Sequence, residues 1–210
     1  KTSIFYLDYD IDSRKILALA TNSILDPGRN GFFDHDGVMG CQFVVIGKMR
    51  YIFYQGWNLG VSVPFRNSLG VARFENNILK RVFTGPILDR SPFDPCFVAS
   101  SWIIKIKEKY IMYYLSCFDW REVNNKLRHY YHIKLAESDD GLTWKPMNKV
   151  AIDLKYSNEY AISTPRVLYE NNIYKMWYSY RGGIFSENYR IGYAESLNGF
   201  DWIRKDETIN

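Results

Sequence analysis

The sequence predicts an all-β fold made of repeated four-stranded antiparallel sheets, the architecture of a β-propeller. Three observations predict it: a strand-and-turn motif recurs along the chain, an aromatic β-hairpin precedes each copy, and the period is about 60 residues. The 210-residue chain is 47% apolar and 24% charged. This composition is typical of a globular protein and excludes a disordered one.

The recurring motif is clearest in the second half of the chain. Ile133–Trp144 matches Ile191–Trp202, with the two tryptophans 58 residues apart, and weaker copies lie at Leu69–Asn77 and Leu17–Ser23. Each copy alternates as a strand and then meets a polar turn. The Asp-Gly and Asn-Gly dipeptides of the two strong copies are turn signals. The motif therefore predicts a strand that ends in a tight turn.

A β-hairpin is predicted upstream of each copy, at Gln42–Tyr54, Trp102–Tyr114 and Pro165–Tyr178. Each consists of an apolar strand, a short polar turn and an aromatic strand. Leu79–Phe83 and Val150–Leu154 are candidates for a last strand. Hairpin, motif strand and last strand together make a four-stranded propeller blade, which buries its faces by stacking on its neighbours.

The period sets the domain organisation. We expect a single propeller domain over 1–210, with approximate blades at 1–30 (partial), 31–90, 91–155 and 156–210 (partial). Arg121–Ser138 also has some helical periodicity, but its aromatic centre and its match to the repeat favour a strand. About three and a half blades do not close a ring, since propellers close with four to eight. We therefore expect a fragment of a parent of about 300 residues.

Charge and cysteine content exclude several partners. The net charge of +4 is well mixed, with no Lys/Arg stripe of the kind that follows nucleic acid. An apolar run of 18 residues is absent from the sequence, so no membrane segment is expected. The three cysteines form no C-x-x-C pair and predict a reducing, cytoplasmic compartment. His129 and His132 are three apart on a predicted strand and face opposite sides. We therefore expect no metal and no cofactor.

Three acidic residues begin three consecutive predicted blades. They are Asp36, Asp94 and Glu159, which lie 15, 16 and 15 residues upstream of the hairpin residues Tyr51, Tyr110 and Tyr174. In a closed propeller such positions converge on one end of the axial funnel. Clustered carboxylates are costly without a purpose, and glycoside hydrolysis needs such a set. Two alternatives stay open: the acids cap turns, or Asp34 rather than Asp36 faces the axis.

Other residues near these positions are candidates for sugar binding. Arginines could hold the carboxylates ionised or bind an acidic sugar. Aromatic side chains could stack on a pyranose ring, and a histidine beside Asp36 could tune that acid. The candidate substrate-binding residues are His35, Trp57, Arg66, Arg90, Arg166, Tyr180 and Arg181, with Trp120 as a further aromatic.

At this point the motifs resemble a known group. Phe93–Pro95, Tyr174–Ser179 and the repeated Ala-Glu-Ser-x-x-Gly-x-x-Trp turns are similar to those of the five-bladed propellers of the arabinanase, levansucrase and invertase group. That group includes glycoside hydrolase families 43 and 32 and related sugar phosphorylases. Phe33–Met39 together with Gly56–Asn67 resembles uncharacterised propeller proteins often found among bacterial surface-polysaccharide genes.

The resemblance implies a five-bladed propeller that acts on a glycosidic bond of an oligo- or polysaccharide. Asp36 would be the nucleophile or general base, Asp94 the transition-state stabiliser and Glu159 the general acid. The group's base stands on its first blade, whereas Asp36 would open the second. Two alternative functions follow: a non-catalytic carbohydrate-binding propeller in surface-polysaccharide biosynthesis, or a glycoside phosphorylase. In each case the expected ligand is a carbohydrate.

Overall fold

A computed structural model describes residues 1–75, 78–183 and 186–208. Fourteen β-strands and one short 3₁₀ helix, Asp206–Thr208, lie among them. The strands are β1 Leu7–Asp10, β2 Lys15–Leu19, β3 Gly37–Ile46, β4 Met49–Leu59, β5 Phe65–Glu75, β6 Ile78–Arg81, β7 Phe97–Ile106, β8 Lys109–Val123, β9 Lys126–Ser138, β10 Lys145–Ile152, β11 Ala161–Glu170, β12 Ile173–Gly182, β13 Ser186–Ser196 and β14 Ile203–Arg204.

Three antiparallel sheets follow one another along the chain. Each has four strands in sequence order: β3 to β6, β7 to β10, and β11 to β14. A parallel pair between Ala161 and Tyr131 joins the second sheet to the third, and β1 with β2 forms a separate hairpin. The predicted all-β class is confirmed, and the fold is that of a partial β-propeller. The blade limits and closure into five blades stay predictions.

The predicted hairpins are present. The segment Arg121–Ser138, for which a helix was the competitor, spans the end of β8, a turn at Asn124 and Asn125, and β9. Both asparagines have positive φ, 53° and 59°, which asparagine tolerates better than most residues. The strand prediction is confirmed. The last two residues of the weaker copy Leu69–Asn77 lie outside the described residues.

The repeated Gly-x-x-Trp turn packs each sheet onto the one before it. Trp144 meets the ring of Phe53 edge-on at 6.2 Å, and Trp202 meets Tyr113 at 5.7 Å. The glycine is needed for this contact, because a Cβ on Gly199 would lie 2.4 Å from Ile106 and its φ is +79°. The motif that revealed the repeat in sequence is therefore an inter-sheet contact.

The first strand of each sheet contains a β-bulge at an equivalent place. The register shifts between Gly40 and Gln42 in β3, between Ala99 and Trp102 in β7, and between Ser163 and Arg166 in β11. A bulge adds one residue to a strand and re-aims the side chains beyond it. As a result Val98 and Ile103 belong to the same buried cluster although they are five residues apart.

Side chains just after the bulges connect neighbouring sheets. Gln42 donates from Nε2 to the carbonyl of Ile103 at 3.0 Å and accepts from the amide of Ile103 at 2.6 Å. At the equivalent position of the second sheet, Trp102 donates from Nε1 to the carbonyl of Val167 at 3.0 Å. These bonds satisfy backbone groups on the strands nearest the axis and fix how the sheets sit around it.

Candidate functional site

A cavity of about 890 Å³ opens where the first strands of the three sheets begin. We call it the axial cavity. Its lining comes from the beginnings of β3, β5, β7, β9, β11 and β13, from β4, β8 and β12, and from Thr2 and Pro64 outside the strands. Its aromatic members are Trp57, Phe65, Phe97, His129, Tyr131 and Tyr189. The described lining is therefore mainly apolar, with a few polar groups, which is typical of a small-molecule site.

One wall of the axial cavity is a packed aromatic cluster. The ring centroid of Phe65 lies 5.4 Å from that of Trp120, and Trp120 lies 4.8 Å from His129. His129 stacks on Tyr131 at 5.0 Å with an interplanar angle of 18°. Burial, together with the smaller effect of the Arg181 charge, lowers the pKa of His129 to about 4. The imidazole is therefore neutral at pH 7 and belongs to the aromatic wall.

The bulges place polar groups on the cavity surface. Ser100 and Thr164 sit at the bulges of β7 and β11 with φ of 44° and 55°. The amide of Ser100 donates to Gln55 Oε1 at 3.3 Å. Non-glycine residues in the left-handed region cost about 1–3 kcal/mol each, and such strain concentrates at functional sites. The backbone at Ser100 and Thr164 therefore places polar groups on the surface of a cavity whose lining is otherwise mainly apolar.

Asp36 lies at the rim of the axial cavity. Its Oδ2 accepts from the amide of Leu59 at 2.9 Å, and Leu59 lines the cavity. His35 Nε2 lies 3.1 Å from the same oxygen, and the Asp36 side chain keeps 15% of its exposure. His35 contacts Asn58 on its other side, and both residues line a separate shallow pocket. Asp36 is therefore the most accessible of the three predicted acids.

Asp34, the competing candidate, points into the first sheet. The residue is fully buried, and its Oδ2 accepts from Tyr54 Oη at 3.0 Å and from Arg81 Nε at 2.8 Å. Its Oδ1 has no hydrogen-bond partner among the described residues. The structure thus separates the two aspartates: Asp34 belongs to a buried ion pair and Asp36 to the cavity rim.

Asp94 is also fully buried, in the second sheet. Its Oδ1 accepts from Ser116 Oγ at 2.7 Å and from Tyr114 Oη at 3.1 Å, and its Oδ2 accepts from Ser91 Oγ at 2.8 Å. Lys134 Nζ, which is 3% exposed, lies 3.4 Å from Oδ1. Three hydroxyl groups and one ammonium group therefore hold this carboxylate in place.

Glu159 forms a two-point ion pair in the third sheet. Arg204 donates from Nη1 to Oε2 and from Nη2 to Oε1, both at 2.8 Å. Arg204 Nη2 also donates to Asp206 Oδ2 at 2.8 Å, and Tyr178 Oη donates to Asp206 Oδ1. Among the described residues, none of Asp36, Asp94 and Glu159 lines the axial cavity, and no hydrogen bond or ion pair joins any two of them.

The buried tyrosine–carboxylate pairs share one design, with Asp34, Asp94 and Asp206 as the three carboxylates. Tyr54, Tyr114 and Tyr178 occupy equivalent strand positions, opposite Gly70, Lys134 and Gly192. Where the opposite residue is glycine, the tyrosine ring fills the space, since a Cβ would lie 2.4 Å from Tyr54 and 2.2 Å from Tyr178. The cation then comes from the outer strand, as Arg81 or Arg204. In the second sheet Lys134 takes the glycine position and supplies the cation itself.

The other predicted binding residues are dispersed. Trp57 lines the axial cavity, whereas Arg66 and Arg90 are exposed outside it. Arg166 lies over the Trp102 ring at 4.8 Å and donates to the carbonyl of Pro165. Tyr180 is buried beside Arg204, with 5.6 Å between the guanidinium carbon and its ring. Arg181 lies beside the cavity wall, over the ring of Tyr189 at 4.8 Å.

Sequence reasoning missed several cavity residues. His129, Tyr131 and Tyr189 were not candidates, although His129 precedes a predicted strand centre rich in tyrosine. All three lie near the beginning of the third strand of their sheet, and this position is the signal that would have identified them. Groups of three or more His, Cys, Asp or Glu residues placed to hold a metal are absent from the described residues. The described part of the chain also has no helix able to cross a membrane.

Solved structures that share this fold include propeller glycosidases. The chain superposes on the structure of a glycoside hydrolase with a TM-score of 0.73 at 14% identity, covering 95% of this chain and 63% of that one. An α-L-arabinofuranosidase from Lactobacillus brevis gives 0.65 at 14%, covering 90% and 60%. A β-fructofuranosidase from Bombyx mori gives 0.63 at 17%, covering 97% and 47%. At these identities the likeness shows the fold, as predicted.

Two sequence relatives are closer in identity. The chain is 36% identical over 199 residues to Rv1502 of Mycobacterium tuberculosis strain H37Rv, an uncharacterized protein, covering 93% of this chain and 64% of that protein. MT1551 of strain CDC 1551, also uncharacterized, gives the same values. The chain therefore spans 64% of the length of these curated relatives. No protein-family model matches the chain.

Proposed function

We propose that the protein binds carbohydrate in the axial cavity. The observation that carries this proposal is the cavity lining: an aromatic wall formed by Phe65, Phe97 and Tyr131 faces hydroxyl and amide groups. Sugars present C–H faces that pack on aromatic rings, and hydroxyl groups that need oriented donors and acceptors. The glycosidases that share the fold agree with this ligand class. We propose further that the ligand is an oligo- or polysaccharide of a bacterial cell surface. We also propose that the propeller closes as a ring of five blades.

The contacts of Glu159 and Asp94 favour carbohydrate binding over catalysis by these two residues. Glu159 is occupied at both oxygens by Arg204, and Asp94 by three hydroxyl groups. Contact of a sugar with either carboxylate would require a buried ion pair or hydrogen-bond network to open. Removing one partner from such a pair costs several kcal/mol, about 3–5. These two residues therefore act in the proposal as structural groups that hold the sheets around the cavity.

Binding can be tested with the intact protein by saturation-transfer NMR against a panel of oligosaccharides. We expect binding, and we expect Phe65→Ala to weaken it by about tenfold, since the loss of an aromatic stacking surface costs on the order of 1 kcal/mol. Phe43→Ala is the matched control, because Phe43 is 52% exposed on β3 and packs on Phe74 outside the cavity. Absence of binding to every sugar, or an equal effect of both variants, would contradict the proposal.

Hydrolysis of a glycosidic bond is the second candidate, and Asp36 is the observation that favours it. It is an accessible carboxylate at the rim of the cavity, in contact with an imidazole that can exchange protons with it. Release of reducing ends by the wild type, with a loss of at least about a hundredfold in Asp36→Asn, is the expected result. Sugar binding without release would remove hydrolysis and leave the binding proposal standing.

A further inference from the structure

A cationic group lies beside the aromatic wall of the axial cavity. Arg181, near the end of β12, has its guanidinium carbon 4.8 Å from the ring centroid of Tyr189 and 5.3 Å from that of Tyr160. Tyr189 lines the cavity and its hydroxyl pairs with that of Tyr131 at 2.8 Å. The charge of Arg181 also acts on His129, on the same wall. The cation is therefore coupled to three cavity residues.

Arg181 differs from Arg81 and Arg204 in its surroundings. Arg81 and Arg204 each hold a buried carboxylate. Within the described residues, by contrast, no carboxylate oxygen lies within 4.0 Å of Arg181, whose Nε donates to the backbone carbonyl of Glu187 at 2.9 Å. The Glu187 carboxylate accepts instead from Tyr160 Oη at 2.9 Å and pairs with Arg128 at 3.4 Å.

The local charge is therefore positive. Arg128 lies over the ring of Tyr160 at 4.4 Å, so that this ring is in contact with two guanidinium groups. Two cations and the one carboxylate of Glu187 leave a net charge of +1 at this edge of the cavity. The described lining of the cavity itself carries no carboxylate to offset it. The Arg181 guanidinium lies over the rings of Tyr160 and Tyr189, and no carboxylate among the described residues pairs with it, so an anionic ligand would be its first carboxylate or phosphate partner.

We propose that the axial cavity selects sugars that carry an anionic substituent, and that Arg181 binds this group while the aromatic wall packs on the ring. The inference rests on the proposed carbohydrate function and gives its substrate class. The shared chemistry is a carboxylate, as in a uronic acid, or a phosphate ester; both accept two parallel N–H donors from arginine. Tyr131 and Tyr189 link the anion position to the stacking surface.

Matched ligand pairs test the inference in the intact protein. Each pair keeps the ring stereochemistry and changes the charge: glucuronate against glucose, galacturonate against galactose, and the 6-phosphate of each neutral sugar. We expect the anionic member to bind about tenfold more tightly, since hydrogen bonds to charged groups are the strong ones. The preference should fall as salt is raised. A larger gain for uronates than for phosphates identifies the carboxylate as the ligand group, and the reverse identifies the phosphate.

Variants at Arg181 separate selection from stability. Arg181→Gln should remove the preference for anions and leave the affinity for neutral sugars within about twofold, while Arg181→Lys should keep part of it. Arg121→Gln is the matched control, because Arg121 also lies over a tyrosine ring, at 4.3 Å from that of Tyr130, but is paired with Asp119, and Tyr130 does not line the cavity whereas Tyr189 does.

Equal affinity for neutral and anionic members in the wild type, or an unchanged preference in Arg181→Gln, would overturn the inference alone. Absence of binding to every sugar would overturn the carbohydrate proposal together with it. A melting temperature of Arg181→Gln equal to that of Arg121→Gln shows that the loss of preference is not caused by unfolding.

Discussion

Glu159 and Arg204 face each other across the third sheet as a two-point ion pair, with both nitrogen-to-oxygen distances at 2.8 Å. The Glu159 side chain is fully buried and that of Arg204 is 10% exposed. The pair ties the loop before β11 to β14, the outermost strand of the same sheet. This geometry predicts that Glu159 contributes measurably to stability.

Replacing Glu159 tests that contribution. Glu159→Ala should lower the free energy of unfolding in urea by about 3 kcal/mol, because a buried guanidinium loses its main partner. Asp139→Ala is the control: Asp139 is 73% exposed and pairs with Lys109, so its loss should cost under about 1 kcal/mol. Equal costs for the two variants would contradict the structural role of Glu159.

The glycine opposite Tyr178 gives a second prediction. A Cβ on Gly192 would lie 2.2 Å from the Tyr178 ring, so Gly192→Ala should destabilise the fold by about 2 kcal/mol through overpacking. A Cβ on Gly85 would meet no atom within 4 Å, and Gly85→Ala should change stability by no more than about 0.5 kcal/mol. Thermal unfolding of both variants checks this, and similar melting temperatures would refute the close contact.

The two hydrogen bonds between Gln42 and Ile103 join the first two sheets, so replacing Gln42 should lower the free energy of unfolding. Gln42→Leu leaves the amide and carbonyl of Ile103 without their partner, so a loss of about 2 kcal/mol is expected. Gln42→Glu keeps an acceptor for the Ile103 amide but places a carboxylate oxygen against the Ile103 carbonyl, so it should cost at least as much as Gln42→Leu. Urea unfolding measures both variants, and a leucine variant as stable as the wild type would show that the two hydrogen bonds contribute little.

His129 makes stability depend on pH in a defined window. Its pKa is about 4 in the folded protein against an ordinary 6.5, chiefly because it is buried. Between these values the unfolded chain takes up a proton that the folded chain does not. The stability that the neutral His129 contributes is therefore fully present above pH 6.5 and is lost as the pH falls toward 4.

The expected loss is on the order of 1–2 kcal/mol, since solvent partly screens a ring at the edge of a cavity. His129→Phe should reduce the loss of stability between pH 6.5 and 4 by this amount and leave the interval from pH 7 to 8 unchanged. Urea unfolding at several pH values measures both intervals. An identical acid profile in wild type and variant would show that His129 takes up its proton equally in both states.

The fold was predictable because the repeat appears in the sequence as local patterns. The Gly-x-x-Trp turns, the aromatic hairpins and the period each lie within a short segment. The roles of the acids were harder to predict, because their partners lie far along the chain. Arg81 is 47 residues from Asp34 and Arg204 is 45 from Glu159. A carboxylate that reacts and one that stabilises a sheet can have the same spacing from the hairpin, so the spacing does not distinguish the two roles.

The axial cavity was difficult to predict for a related reason. Its wall combines Phe65, His129 and Tyr189, each from a different sheet, and none of them lies in the repeated strand-and-turn motif or in the predicted hairpins. Only the arrangement of sheets around an axis brings them together. Trp57, which follows the first hairpin, was found because hairpin ends are local features.

The bulges in β3, β7 and β11 make each first strand a two-part element. In β7, Ala99 faces the cavity before the bulge, and Ile103 faces the preceding sheet beyond it together with Val98. Loss of one residue at this bulge would leave the pairing beyond it unchanged, because Trp102 would still lie opposite Tyr113, but it would remove the backbone bend that places Ser100 on the cavity surface. Changes at Ser100 or Thr164 can therefore alter the cavity surface while the core side chains beyond the bulge keep their orientation. The bulges thus allow the cavity and the core to evolve independently.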